Sequence, residues 1–379
     1  MKKILFITND FGPRAGGIES FIIGLIESLP KNSVVVYTSK QEETLAYDRS
    51  WLDNYGVEVI RDRSKVLLPT PRVSRAIKKV VKSSEVQVAC FGAAAPLALL
   101  AKGIRRAGVS HIVAITHGHE VWWAKVFPFS LAIRSIGNSV DALTYLGEFT
   151  RREISRALSS KARAALVQLA PGIDVEHFSP RNDSPELRSS LGLDGKKVVV
   201  SVGRLVRRKG QDRLIEALPL VRTSIPNAHL LLVGQGSYGK YLKKLAQRKG
   251  VAEAVTFVGR VQFAELPTYF CVGDLFAMPS RSRFGGLEVE GLGIVYLEAS
   301  SCGLPVIAGN SGGAPDAVVA GRTGLVVDGT KVEEISHAVI ELLGNPGRAT
   351  EMGREGRAWA KEHWSWRSWS GQFAEILNL

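Results

Sequence analysis

The chain has 379 residues, of which 45% are hydrophobic and 22% charged, and it carries a net charge of +13. That length suggests two domains, and the composition is that of a soluble globular protein. Cys90, Cys271 and Cys302 are too few and too scattered for a disulfide framework or a metal cluster, so a reducing cytoplasm is the expected setting.

The start, Met-Lys-Lys-Ile-Leu-Phe-Ile-Thr, has only four consecutive apolar residues and reads as a first β-strand rather than a secretory leader. Strand-like runs at 3–8, 33–38, 86–91 and 112–116 alternate with helical patterns such as 17–29 and 72–83. The first strand leads into Asn9-Asp-Phe-Gly-Pro-Arg-Ala-Gly16-Gly17-Ile-Glu19, a turn whose paired glycines permit close approach of a phosphate or sugar. An ordinary tight turn is the plainer reading of that signal alone. The uncharged stretches 86–101 and 299–315 fall short of the ~20 apolar residues that span a bilayer, so no spanning segment is expected. After the fourth run comes Thr116-His117-Gly-His119-Glu120. A histidine at the end of a parallel strand can bond a reacting sugar or move a proton near neutral pH. The spacing of a zinc motif is absent there.

Charge is unevenly placed along the chain. Residues 1–168 hold 24 Lys/Arg against 14 Asp/Glu, a balance of +10, and the remainder hold 25 against 22, a balance of +3. The cations cluster in helix-like segments: Arg75, Lys78, Lys79 and Lys82; Lys102, Arg105 and Arg106; Arg151, Arg152 and Arg156. Such a half attracts polyanions or an anionic bilayer surface, the alternative being a solvated face without a partner. Nucleic acid is not expected, because aromatics are not interleaved with these charges.

A joint rich in turn formers, 170–180, separates a first domain (1–169) from a second (181–363), and the tail 364–379 is expected to pack back on the first. The strand–helix alternation restarts with runs at 197–203, 229–234, 255–259, 275–279, 305–308 and 324–327. Two such alternations imply two doubly wound α/β domains with parallel sheets, their ligand lying beyond the strand C-termini in the cleft between them. The first strand of the second domain ends in Gly203-Arg204-Leu-Val-Arg207-Arg208-Lys209-Gly210-Gln-Asp212, a loop with four cations suited to a diphosphate leaving group. Gly234-Gln-Gly236-Ser-Tyr-Gly239 fits a dinucleotide fingerprint. It follows the second strand of its domain, and the next strand ends at Gly259-Arg260 where a nicotinamide site would want an acid.

The most informative stretch is Glu290-Gly-Leu-Gly-Ile-Val-Tyr-Leu-Glu298. Glycines 291 and 293 allow a tight turn, and Ile294–Leu297 read as the first turns of a buried helix whose bare amides form an anion site. If helical throughout, the segment spans about 12 Å. That exceeds the roughly 5–9.5 Å between the two carboxyls of a glycosidase, so the pair reads as two grips on one long ligand.

Taken together these residues resemble the retaining glycosyltransferases of family four, whose architecture is GT-B, two Rossmann-like domains facing a deep cleft. The E-x7-E pattern falls on Glu290 and Glu298, the phosphate-gripping pair on Arg204 and Lys209, the glycine loop on Gly16 and Gly17, and the strand-end histidine on His117. Pro171-Gly-Ile-Asp174, Gly312-Gly-Ala-Pro-Asp316 and Gly321-Arg-Thr-Gly324 also match. Within that family Asn9-Asp-Phe, Thr116-His-Gly-His-Glu-Val121 and the 286–298 segment look like the PimB-type mannosyltransferases of actinobacteria, although Glu19 stands where that subgroup tends to carry an amide.

The resemblance implies a metal-independent, cofactor-free retaining α-mannosyltransferase using GDP-mannose and a phosphatidylinositol mannoside at the inner face of the cell membrane. Glu298 is then expected to hold the ribose, and Arg204 and Lys209 to neutralise the diphosphate. Amides at Gly17, Ile294 and Val295, beside Gly16 and Gly293, are expected to bind phosphate and sugar. Glu290 is expected to contact sugar hydroxyls, His117 to orient the sugar, and Val261 to touch the base. Expected partners are the nucleotide sugar and the anionic lipid, with the protein a monomer or weak dimer. The alternatives are a UDP-sugar transferase with a soluble acceptor, and a non-enzymatic protein that binds anionic lipid.

Overall fold

A computed structural model describes residues 2–14, 16–181 and 184–379. The chain divides into two compact units, Met1–Gly172 with Trp366–Leu379, and Ile173–Ser365. The division falls inside the predicted joint, and Trp364 and Ser365 belong to the second unit rather than to the returning tail.

The first unit is a seven-stranded parallel sheet built from β1 (Ile4–Thr8), β2 (Val34–Thr38), β3 (Glu58–Arg61), β4 (Val88–Phe91), β5 (His111–Ala114), β6 (Ala142–Tyr145) and β7 (Leu166–Gln168). Their order is β3-β2-β1-β4-β5-β6-β7. β1, β2 and β4 are buried along their whole length, as continuous apolar runs in a sheet covered on both faces must be. Burying one such Val, Leu or Ile side chain stabilises by roughly 1.5–3 kcal/mol. β3, β6 and β7 were not anticipated from the sequence. β3 and β7 lie at the edges and are only partly buried, so Glu-Val-Ile-Arg and Leu-Val-Gln carry no sustained apolar signal; β6 is four residues long and breaks its pattern with Thr144. The C-terminal helix Trp366–Ile376 is tied to this unit by Phe373, whose ring lies 6.1 Å from that of Phe6, and by His111, whose Nε2 is 2.8 Å from the Ile376 carbonyl oxygen.

The second unit has six parallel strands, β8 (Lys197–Val202), β9 (Ala228–Val233), β10 (Val255–Gly259), β11 (Leu275–Met278), β12 (Val306–Gly309) and β13 (Gly324–Val327), in the order β10-β9-β8-β11-β12-β13. All six fall on the runs read from the sequence, within about two residues at each end, because they are apolar runs bounded by glycine or proline.

Both sheets reverse their winding once, between β1 and β4 in the first and between β8 and β11 in the second. At such a switch point neighbouring crossovers leave to opposite faces, opening a crevice beyond the strand C-termini. The residues singled out at strand ends, Asn9 and Asp10 after β1 and Gly203 and Arg204 after β8, stand at these two places.

Candidate active site

The denser constellation belongs to the second unit. Its core is Glu290, which is buried and bound by two cations of the loop after β8. Lys209 Nζ lies 2.9 Å from Glu290 Oε2, and Arg208 donates to the same oxygen. Burial works against the charge on Glu290, but the adjacent Lys209 and Arg208 outweigh it and hold the carboxyl below its usual range. Burial pushes the Lys209 ammonium down, with Glu290 opposing. Arg208 thus joins Lys209 on Glu290, while Arg204, expected to grip the diphosphate with Lys209, is exposed and close enough for its charge to act on Lys209.

This loop is held rigid from two sides. Asp212, in the first turn of the helix Gln211–Ser224, takes a bidentate bond from Arg281 (2.8 and 2.7 Å), both residues being buried, and Tyr238 donates to the same carboxylate at 3.1 Å. The Arg281 amide donates to the Arg208 carbonyl at 2.8 Å, so the pair clamps the loop to the chain leaving β11. The second support is the Gly234/Gly236/Gly239 segment. A Cβ on Gly234, whose φ is +132°, would lie 2.1 Å from the Gly203 oxygen, and one on Gly236 would lie 2.3 Å from the Leu205 oxygen. The amides of Leu205 and Tyr238 close the contact, onto the Gln235 and Leu205 carbonyls respectively. These glycines therefore let two loops touch backbone to backbone and brace Arg204, which accounts for the dinucleotide-like fingerprint without a dinucleotide.

The helix begins at Ile294, where the sequence places its first turn, and runs to Ser301, so Glu290 lies before it and the two carboxylates are not spaced along one helix. Residues 290–293 form a turn pinned by the Gly313 amide on the Glu290 carbonyl (2.8 Å) and ended by Gly293 at φ +80°, a left-handed geometry glycine adopts freely. The helix has no side-chain cap, and Ile294 and Val295 are half-buried at its start, leaving first-turn amides for an anion. The fully buried Tyr296 donates to the Met278 carbonyl at 2.7 Å and so fixes this helix to the end of β11. Glu298 is buried on the next turn and forms no salt bridge among the described residues. Burial pushes its carboxyl up to about 7, with Lys209 pulling the other way. Val261 lies half-buried in the loop after β10.

In the first unit, His117 stands after β5 beside the switch point. Its Nε2 bonds the Gly92 carbonyl at the end of β4, its amide donates to Glu120 Oε2 at 2.9 Å, and its ring meets Phe21 edge-on at 5.7 Å. Burial lowers its pKa against the pull of Glu120, so the ring is neutral near pH 7. With Nε2–H donated to a carbonyl, Nδ1 keeps its lone pair as an acceptor. Gly17 opens the helix Gly17–Glu27 and is exposed. Gly16, its N-cap, is extended and sits against Glu19, whose carboxylate is buried and paired with Arg14 at 2.6 Å.

Sequence reasoning missed Arg281 and Tyr238, which act through Asp212. No local motif announces them, because their partner lies 69 and 26 residues away.

The family described as "Glycosyl transferases group 1" matches residues 183–359. A protein of Mycolicibacterium smegmatis, described as a GDP-mannose-dependent alpha-(1-6)-phosphatidylinositol monomannoside mannosyltransferase, is 45% identical over 99% of this chain and 98% of its own. A Corynebacterium glutamicum protein, described as the corresponding monoacylated phosphatidylinositol monomannoside mannosyltransferase, is 44% identical over 100% of this chain and 98% of its own. Among solved structures, Anabaena HepE in complex with UDP superposes with a TM-score of 0.81 at 21% identity, covering 99% of both chains. That likeness is one of fold and agrees with the GT-B architecture expected from the sequence.

Proposed function

The chain belongs to the group 1 glycosyl transferases, and from that premise we propose that it is a retaining α-mannosyltransferase moving mannose from GDP-mannose to a phosphatidylinositol mannoside. The full-length relatives carry the choice of donor and acceptor. The observation that carries the chemistry is the buried cluster of Lys209, Arg208 and Glu290 beside the uncapped helix start at Ile294.

In this reading the diphosphate lies against Arg204, Lys209 and the first-turn amides of Ile294 and Val295, past the turn ended by Gly293. Cations and a helix N-terminus in a water-poor site stabilise the charge that grows as the C1–O bond breaks, with no metal required. Glu290, kept ionised by its two cations, accepts hydrogen bonds from sugar hydroxyls. Glu298 takes the ribose hydroxyls, and the backbone near Val261 meets the base. To the first unit we assign the acceptor. His117 offers Nδ1 to the transferred sugar, and the amide of Gly17, next to Gly16, binds phosphate or sugar. The acceptor oxygen bonds C1 on the face the diphosphate leaves, and its proton passes to a departing phosphate oxygen, which retains the anomeric configuration without a carboxylate nucleophile. The basic first unit fits an anionic lipid surface, and we place the reaction at the inner face of the membrane. No helix among the described residues is long and apolar enough to cross one.

Melting with GDP, UDP or ADP, each with and without EDTA, tests the donor. A ligand at 100 times its Kd stabilises by about 2.7 kcal/mol. A GDP-selective shift that survives EDTA is expected. A UDP-selective shift would overturn the mannose donor, and no shift with any nucleotide would overturn the enzymatic reading in favour of a lipid-binding protein.

A further inference from the structure

Arg61 is the last residue of β3, the edge strand of the first unit, and its guanidinium reaches away from that strand. Nε and Nη2 grip the Asp48 carboxylate, on the helix Leu45–Tyr55, in a bidentate pair at 2.7 Å each. Nη2 also donates to the Gly12 carbonyl at 2.7 Å, and Nη1 to the Ser39 carbonyl at 3.3 Å. One side chain thus ties together the C-terminal ends of three neighbouring strands: β3 itself, the residue after β2 and the loop after β1. An exposed ion pair contributes little. This one has side chains only 11% and 21% exposed, and the rigid fork of an arginine fixes the direction of each bond it makes.

The loop it reaches, 9–14, has no regular structure and is held instead by side chains from outside it. Asn9 Nδ2 donates to the Leu67 carbonyl at 3.1 Å, and the Leu67 amide returns a bond to Asn9 Oδ1 at 2.6 Å. Gln41 donates to the Phe11 carbonyl at 2.6 Å and accepts from the Arg14 amide at 3.2 Å. The buried Phe11 ring lies 5.1 Å from that of Trp51 and 5.7 Å from that of Tyr47. A plain turn between a strand and a helix needs no such frame.

The frame presents Asp10 at the switch point. Its carboxylate is half-buried and close enough to His117, His119 and Glu19 for their charges to act on it. Burial first, and then Glu19, push the carboxyl up from its ordinary range. Its contact with Arg14 is long, at 3.4 Å, and Arg14 is committed to Glu19 at 2.6 Å. The place of Asp10 is therefore set by its backbone, two residues before the carbonyl that Arg61 holds. We propose that Arg61 is a positioning residue for the transfer: locked by Asp48, it sets the loop after β1 so that Asp10 stands beside His117 when the acceptor binds. Arg61 itself touches no substrate. The inference rests on the assignment of the acceptor to this unit, and a readout of the loop alone keeps the two separable.

Two variants of the full chain carry the test. Arg61→Lys keeps a charge beside Asp48, but a single ammonium cannot hold a bidentate carboxylate and two carbonyls at once. Arg61→Met keeps only the apolar stem. In deuterium exchange read by mass spectrometry, peptides covering the loop after β1 should exchange faster in both, while those of β4 and β5 stay protected. With GDP-mannose and phosphatidylinositol monomannoside, kcat/KM for the lipid should fall about 10- to 100-fold in both. GDP affinity should match the wild type, because the nucleotide belongs to the second unit. Asp48→Asn, which weakens the lock without touching the loop, should give the same pattern in smaller measure. Unchanged loop exchange in both Arg61 variants would overturn the clamp whatever the reaction. A loosened loop with wild-type kcat/KM for the lipid would overturn its part in transfer, and so would full rescue by Arg61→Lys. A wild type that transfers nothing would refute the mannosyltransferase reading and with it that part, while faster loop exchange in the variants would still uphold the clamp.

Discussion

Replacing Asp212 by Ala should destabilise the second unit severely although Asp212 contacts no substrate in this account. Arg281 is 7% exposed and Asp212 5%, and two hydrogen bonds of 2.8 and 2.7 Å join them. An arginine cannot shed its proton to escape burial. Without Asp212 it becomes an uncompensated buried charge, a loss of about 3–5 kcal/mol, and Tyr238 also loses its acceptor. For a unit of about 190 residues, each kcal/mol lowers Tm by about 2–4 °C, so the calorimetric transition of this unit should fall by about 6–20 °C. Donor affinity should fall with it, because Arg281 also anchors the Arg208 carbonyl. The companion variant joins Asp212→Leu to Arg281→Met. It removes both charges and should recover most of the loss, as apolar replacements of buried pairs commonly do. The reasoning is refuted if Asp212→Ala melts within about 2 °C of wild type, or if the double variant is no more stable than the single one.

Lys209→Ala should lower kcat by about 100- to 1000-fold while the melting temperature changes little, since Arg208 still holds Glu290; steady-state kinetics beside a melting curve checks both. Glu298, ordinarily titrating at 4.5, is raised to about 7 by burial, so the ribose-accepting carboxylate forms only as pH passes 7. GDP affinity should rise between about pH 6 and 8, and Glu298→Gln should flatten that rise in a calorimetric titration. The same shift should make the ligand-free protein lose stability as pH climbs from 4.5 through 7, because the folded state holds this proton more tightly than the unfolded chain. Gly234→Ala sets a Cβ 2.1 Å from the Gly203 oxygen at a φ of +132°. It should cost about 1–3 kcal/mol and weaken GDP binding by displacing the Arg204 loop. Wild-type GDP affinity in that variant would deny the loop its bracing role.

How far the sequence carried the reading depended on whether the signal was local. β8 to β13 announce themselves as apolar runs bounded by glycine and proline, and the turn before Ile294 by its two glycines. β3 and β7 escape because edge strands are half-exposed and need no apolar alternation strong enough to see. The cationic loop was legible as a cluster, but not which cation reaches Glu290. That follows from the short 3₁₀ turn Arg207–Lys209, in which Lys209 is the buried residue. The Asp212–Arg281–Tyr238 clamp was invisible for a different reason: its members meet only through the sheet's topology. The glycine fingerprint at 234–239 shows the converse, a strong local pattern whose purpose, close contact of two loops, needs the second loop to be seen.

Transfer itself is the most direct test of the central claim. Purified protein would be incubated with GDP-mannose and phosphatidylinositol monomannoside, with EDTA present, and the product's anomeric configuration read by NMR. An α-linked mannose on the lipid is expected, formed by the wild type and lost in folded Lys209→Ala and Glu290→Gln variants. A β-linked product, no transfer despite bound GDP, or undiminished transfer by Lys209→Ala would contradict it.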